Sequence, residues 1–192
     1  MRRPIQPRQA VRGLTMVELS VVLVVLLVAV SIYSNTLAAT ARQRVMHRES
    51  ALAADAARTM LERMLDTPFA ERYALFNTDP LDDPDGPGSA PGSRFAVPGL
   101  PSLPGVAGGL AGSIRFPAVN VGTSAAPAWQ LREDVADSAL SMPRDLDSDF
   151  RVDALDHAGD YTRLPVEVRV DWQGRVGAQG YRLISLMVEI RR

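Results

Sequence analysis

The stretch that most limits what this chain can become runs from Leu14 to Tyr33: twenty residues with no Lys, Arg, Pro or Gly and a single charge, Glu18. At about 1.5 Å of rise per residue, a helix of that length spans the hydrocarbon core of a bilayer, about 30 Å thick. A lone carboxylate one turn into such a helix costs about 2.5–3.5 kcal/mol on insertion scales, so Glu18 is marked as a group in need of a partner. The flank before it, Met1 to Arg12, holds four arginines and no acid. The positive-inside rule keeps that end cytoplasmic and sends the bulk of the chain across the membrane.

The basic flank, then Gly13-Leu14-Thr15-Met16-Val17-Glu18-Leu19 and a pure apolar run, resemble the leader of type IV prepilins and type II secretion pseudopilins. The resemblance implies a basic leader over 1–13, cut by a prepilin peptidase between Gly13 and Leu14. The new amino terminus at Leu14 is methylated, and Glu18 becomes the fifth residue of the mature chain. In that family the subunit waits as a single-pass protein of the inner membrane, with its C-terminal domain periplasmic, and then joins other pilin or pseudopilin subunits in a filament. The carboxylate of an incoming subunit there neutralises the amine of one already in place. The physics agrees, since an amine and a carboxylate in apolar surroundings are each costly alone and attract as a pair. The family commonly has phenylalanine where this chain has Leu14.

The helical signal continues past Tyr33. Ser34 to Asp66 contains no Gly or Pro and is rich in Leu, Ala, Arg, Glu and Met, so one helix of about fifty residues is expected, half apolar throughout (14–33) and half amphipathic (34–66). Leu37, Ala41, Val45, Leu52, Ala56, Met60 and Met64, widened by Ala53, Ala57, Leu61 and Leu65, form the stripe expected to pack on a sheet. Thr67-Pro68 ends the helix, because the residue before proline is pushed out of the helical region. His47, between Arg44 and Arg48, reads as solvated surface.

Phe69 to Phe76 reads as another turn or two of helix. The segment 67–112 is then too rich in proline and glycine for regular elements of any length, and it reads as a variable loop region partly pinned by Phe95, Val97, Leu100, Leu103 and Leu110. In the resembling family this segment often carries subunit-specific contacts; a surface loop with no partner fits the composition equally. Ile114 to Phe116 is a short strand stopped by Pro117, and Leu131 to Met142 reads as either a helical turn or a strand. In Val166 to Trp172 apolar residues alternate with charged ones, so Val166, Val168, Val170 and Trp172 share a buried face. Gln173 to Gly180 reads as the turn, and Tyr181 to Ile190 as the returning strand, with Ile184, Leu186, Val188 and Ile190 on one face. The fold class is α+β, a long N-terminal helix packed on a small antiparallel sheet, with 113–192 as the β-rich head.

Within that head, Asp145, Asp147, Asp149, Asp153 and Asp156 stand at positions one, three, five, nine and twelve of a twelve-residue loop, and Arg151 at position seven offers its carbonyl. This is the ligand spacing of an EF-hand calcium loop. Ending on Asp156, it looks more like the dockerin type. Phe150 stands where the sharp turn normally takes glycine, so it must adopt a positive φ at a cost of about 1 kcal/mol, or the loop must differ. The alternative is an acidic surface loop settled by Arg144, Arg151 and Arg163. His157 reads as a bystander, since Ca2+ prefers oxygen.

A net charge of -1 gives no electrostatic reason to bind nucleic acid, and two histidines with no cysteine leave no zinc spacing and no nucleophilic constellation. Without disulfides the head relies on its core, on its neighbours in an assembly or on a metal. The expectation is a structural subunit and not an enzyme: a minor pilin or pseudopilin, or, as the alternative, a membrane-anchored extracytoplasmic binding or adhesion module.

Overall fold

The structure is a computed structural model describing residues 15–123 and 126–189. The processing pair Gly13 and Leu14, and Ile190 of the last strand, lie outside the described residues. The long helix, α1 (Met16–Asp66), follows from the unbroken run of helix-forming residues and ends where expected, at Thr67-Pro68. The chain divides into two compact units at Arg44 and Val45. In the first, every large apolar side chain from Met16 to Leu37 is at least half exposed.

In the second unit α1 continues from Val45 and a 3-10 turn, Phe69–Glu71, leads into α2 (Arg72–Phe76). Six strands follow: β1 (Arg94–Phe95), β2 (Gly112–Arg115), β3 (Ala118–Asn120), β4 (Trp129–Leu131), β5 (Arg163–Gly174) and β6 (Gly177–Val188). They form a four-stranded antiparallel sheet in the order β1-β2-β5-β6 and a separate antiparallel pair, β3-β4. The architecture is α+β, and α1 from Val45 onward packs one face on the sheet.

The alternation in β5 works as read: Val166, Val168, Val170 and Trp172 are buried against Ala53, Ala57 and Met64 of α1 in one core. Trp172 also donates its indole N–H to Glu49 Oε2 at 3.3 Å, tying helix to sheet at one polar point. The helix stripe, however, is centred differently. Leu52 and Leu65 are exposed, and the buried line runs through Ala53 and Ala57, with Ala56, Met60 and Leu61 beside it. The sheet seats on the small side chains, which let two backbones approach closely, and the larger leucines flank the contact.

The hairpin is tighter than the glycine count suggests. Gly174 pairs with Gly177, so Arg175 and Val176 alone form the turn, and Gly180 lies within β6. On β6, Leu183 and Met187 face the core while Ile184, Leu186 and Val188 face outward. From Asp79 to Ala111 the Pro/Gly segment holds short elements alone, β1, a 3-10 turn at Ala107–Gly109 and a bridge from Ser102 to Trp172, with Val97 and Leu100 buried and Phe95 packed beside them. Between Leu131 and Met142 the chain takes neither reading along its length. Only Leu131 belongs to a strand, and an irregular segment carries Leu140 and Met142 into the core.

Candidate functional sites at the helix start and the acidic loop

Glu18 lies in the first turn of α1 and is exposed. The Thr15 backbone N–H and hydroxyl both donate to Glu18 Oε2 at 3.2 Å, and Thr15 Oγ1 in turn accepts the Glu18 N–H at 3.2 Å. This is a capping box, in which Thr15 and Glu18 satisfy each other's backbone donors at the end of the helix. The Thr-x-x-Glu spacing ahead of an apolar run is its sequence signature, so Thr15 was there to be found. Both capping contacts to the carboxylate fall on Oε2. Among the described residues nothing engages Oε1.

The acidic loop lies between the segment after β4 and the start of β5. Leu146 is fully buried beneath it and its carbonyl accepts the N–H groups of Thr162 and Arg163, fastening the loop to the sheet. From the other side comes a residue the spacing did not reveal. Glu133 is 1% exposed, and its carboxylate accepts the N–H of Leu146 in a short hydrogen bond, that of Asp147 at 3.4 Å and that of Asp153 at 3.2 Å. Both carboxylate oxygens thus accept from backbone donors, so Glu133 fastens two parts of the loop to the segment after β4.

Within the loop, Asp145 accepts the N–H groups of Ser148 and Phe150, Asp147 that of Asp149, and Asp149 that of Arg151. Phe150 at loop position six does take the positive φ, 69°, that the turn demands, and Ser148 has φ 75°. Phe150 is 92% exposed, so no packing offsets the strain. Carboxylate oxygens of Glu133, Asp145 and Asp147 lie within 4.8 Å of one another. Asp153 joins a different group, with Glu133 and His157. Among the described residues Asp149, Asp156 and Arg151 enter no such cluster: Asp149 and Arg151 are exposed, and Asp156 Oδ1 turns toward β4, where it accepts the Leu131 N–H at 3.0 Å.

His157 is not a bystander. It is 3% exposed and sits at the centre of the acids, with Nδ1 3.1 Å from Asp160 Oδ1, Nε2 3.2 Å from Asp153 Oδ1, and Glu133 and Asp147 at 3.8 and 3.9 Å. A ring with a carboxylate on each nitrogen needs a proton on both, which makes it an imidazolium. Burial works against that charge, but the hydrogen bond to Asp153, the negative charge of Glu133 and the contact with Asp160 outweigh it and raise the pKa above the ordinary histidine value. The arginines take a smaller part than expected. Arg163 approaches Asp145 at 3.7 Å, while Arg144 and Arg151 form no ion pair among the described residues.

The arrangement can therefore do two things chemically. Its inner oxygens, Glu133, Asp145 and Asp147, form a hard-donor set suited to a divalent cation, and its outer acids are partly neutralised by His157. In comparisons with known proteins, no family model matches the chain, and neither a curated protein nor a solved structure matches it.

Proposed function

We propose that this chain is a minor pilin or pseudopilin, a structural subunit of a type IV pilus or type II secretion filament. In this reading it enters the inner membrane through α1 with its head in the periplasm. A prepilin peptidase cuts between Gly13 and Leu14 and methylates the new amine, and the subunit then assembles with other pilin-like subunits through the helix. The observation that carries the reading is α1 itself. It is long and apolar enough to cross a membrane, its apolar half is uncovered, and its one early charge is Glu18. An apolar surface of that extent calls for lipid or the helices of other subunits. The oxygen of Glu18 left open by the capping box is the group that would meet a neighbour's amine.

The test compares wild type with Glu18→Ala, Glu18→Asp and Glu18→Gln in the native cell, scoring the tagged chain in sheared filaments and in the envelope. The wild type and, more weakly, Glu18→Asp are expected to assemble, whereas Glu18→Ala and Glu18→Gln remain in the membrane. Equal incorporation of all four would remove the pairing role. A binding or adhesion module would instead keep its activity in Glu18→Ala.

The acidic loop, in the same proposal, takes one Ca2+ and braces the head where other small domains use disulfides. Asp145, Asp147 and Glu133 form the inner donor set, with Asp149, Asp153, Asp156 and the Arg151 carbonyl as the remaining oxygens of the loop. The positive φ of Phe150 supports this, because it gives the turn at position six that calcium loops need. Isothermal titration of the detergent-solubilised chain decides it. Saturable heat at or below millimolar Ca2+ is expected, and its absence would leave the acids to His157 and Arg163.

A further inference from the structure

A cleft of about 640 Å3 opens in the head between α2, the β1-β2 edge and the segment around β4. Its size is that of a small-molecule or side-chain site. Phe116, Trp129, Val106 and Val135 supply apolar wall. The polar groups in the lining differ in how far they are already engaged.

The acid in the wall is committed. Asp137 accepts the N–H groups of Ala139 and Leu140 and pairs with Arg115 at 2.8 Å; Arg115 is shared with Glu167, which also pairs with Arg182. Three acids act on Tyr73, Asp82, Asp156 of the acidic loop and Asp79; Asp82 accepts from Asn77 Nδ2 at 2.6 Å, Asp156 from the Leu131 N–H at 3.0 Å and Asp79 from the Leu81 N–H at 3.0 Å. What remains open is a set of donors. Arg94 is exposed and spends one N–H on the Leu110 carbonyl; among the described residues it has no acidic partner. Ser93 already accepts from Thr78, which leaves its own hydroxyl proton to give, and the Ser113 hydroxyl has no partner among the described residues. Tyr73 is 1% exposed and its hydroxyl makes no hydrogen bond in the described structure. That hydroxyl has almost no accessible surface, so it backs the cleft wall without reaching a ligand. Burial, reinforced by Asp82, pushes the Tyr73 pKa up, so the group stays a neutral donor.

We infer that this cleft binds a carboxylate carried on an apolar body, with the body against Trp129 and Phe116 and the carboxylate met by Arg94 and the Ser93 and Ser113 hydroxyls. Such a group is supplied either by the carboxyl terminus of a polypeptide ending in an apolar residue or by a free arylacetate-like acid. Charge favours it over a cation at the Arg94 side of the cleft, because Arg94 has no acidic partner among the described residues while Asp137 is paired with Arg115. The inference goes beyond the filament reading and stands without it, since every residue belongs to the head.

The experiment uses the full chain in a zwitterionic detergent and measures binding by the fluorescence of Trp129, with Trp172 buried in the core, and by saturation-transfer NMR. The probes are phenylacetate, acetyl-Ala-Ala-Phe with a free carboxylate, and the same peptide as its C-terminal amide. The expected result is millimolar or tighter binding of at least one carboxylate, at least tenfold better than the amide. Arg94→Gln should abolish that preference and Arg94→Lys should keep part of it. Ser113→Ala, which removes only a hydroxyl with no partner among the described residues, should leave the fold intact and weaken binding several-fold. Peptide binding without phenylacetate identifies a polypeptide terminus as the source, and phenylacetate binding without the peptide identifies a small acid. Binding of neither carboxylate at 10 mM, or an amide bound as well as the acid, would overturn the inference.

Discussion

Glu133→Ala is the sharpest probe of the head, because so much of the acidic loop hangs on one buried side chain. The substitution removes the acceptor for three backbone N–H groups. That of Leu146 is fully buried, and leaving it unsatisfied costs about 1–3 kcal/mol. Those of Asp147 and Asp153 are partly buried and can turn to water, so each loses about 0.5–1 kcal/mol. His157 loses one of its surrounding anions but keeps Asp153 and Asp160 at hydrogen-bond distance. Removing a buried charge recovers part of its desolvation, so the expected net destabilisation is about 2–4 kcal/mol, a large share of the stability of a domain this size. Glu133→Gln keeps one oxygen but turns an amide toward backbone donors, and should fall between the two. Urea denaturation of the Val45–Arg192 unit, with and without EDTA, reads the effect as a shift of midpoint at constant slope. A Glu133→Ala unfolding free energy within about 0.5 kcal/mol of wild type would show that the loop is fastened elsewhere, and the picture of Glu133 as its anchor would be refuted.

Other expectations follow from single contacts. In EDTA, the stability of wild type relative to His157→Gln should be greatest below about pH 6.5, the unfolded histidine value, and should decline as the pH rises through the raised folded pKa; a flat difference between pH 5 and 9 would contradict an imidazolium at the centre of the acids. A Cβ on Gly112 would run into the Phe95 ring, so Gly112→Ala should cost about 1–3 kcal/mol by overpacking, and Phe95→Ala in the same chain should recover part of it; additive losses would argue against the contact. Phe150→Gly relieves the left-handed backbone at an exposed site and should leave stability unchanged or raise it by up to about 1 kcal/mol, with any Ca2+ affinity increased; a clear loss by thermal melting would mean the phenyl ring packs in solution.

What could be read from the sequence was local. The helix end at Thr67-Pro68 follows from proline sterics, and the inward face of β5 follows from strict alternation. The centre of the helix stripe was harder to see, because alanines at 53 and 57 look weaker than leucines at 52 and 65, yet small residues are what a closely approaching sheet requires. The count of glycines around 173–180 suggested a broad turn; the strands instead run through them to a two-residue turn, since their hydrogen bonds depend on backbone alone. At the acidic loop, Asp153 and Asp160 flank His157 at four and three residues' distance, a visible sign that its ring could be held between carboxylates. Glu133 carried no such sign. It arrives from a separate segment thirteen residues before Leu146, and only tertiary packing brings it beneath the loop. The capping box of Thr15 and Glu18 was legible in the spacing but overshadowed by the membrane question, which concerns the same glutamate.

The most direct test of the filament reading is the intact mass and N-terminal peptide of the protein recovered from its native envelope. The account predicts a chain beginning at methylated Leu14, thirteen residues shorter than the 192 of the precursor. A chain that still begins at Met1, or one cut beyond α1's apolar half near Ala41, would contradict processing and assembly at their first step.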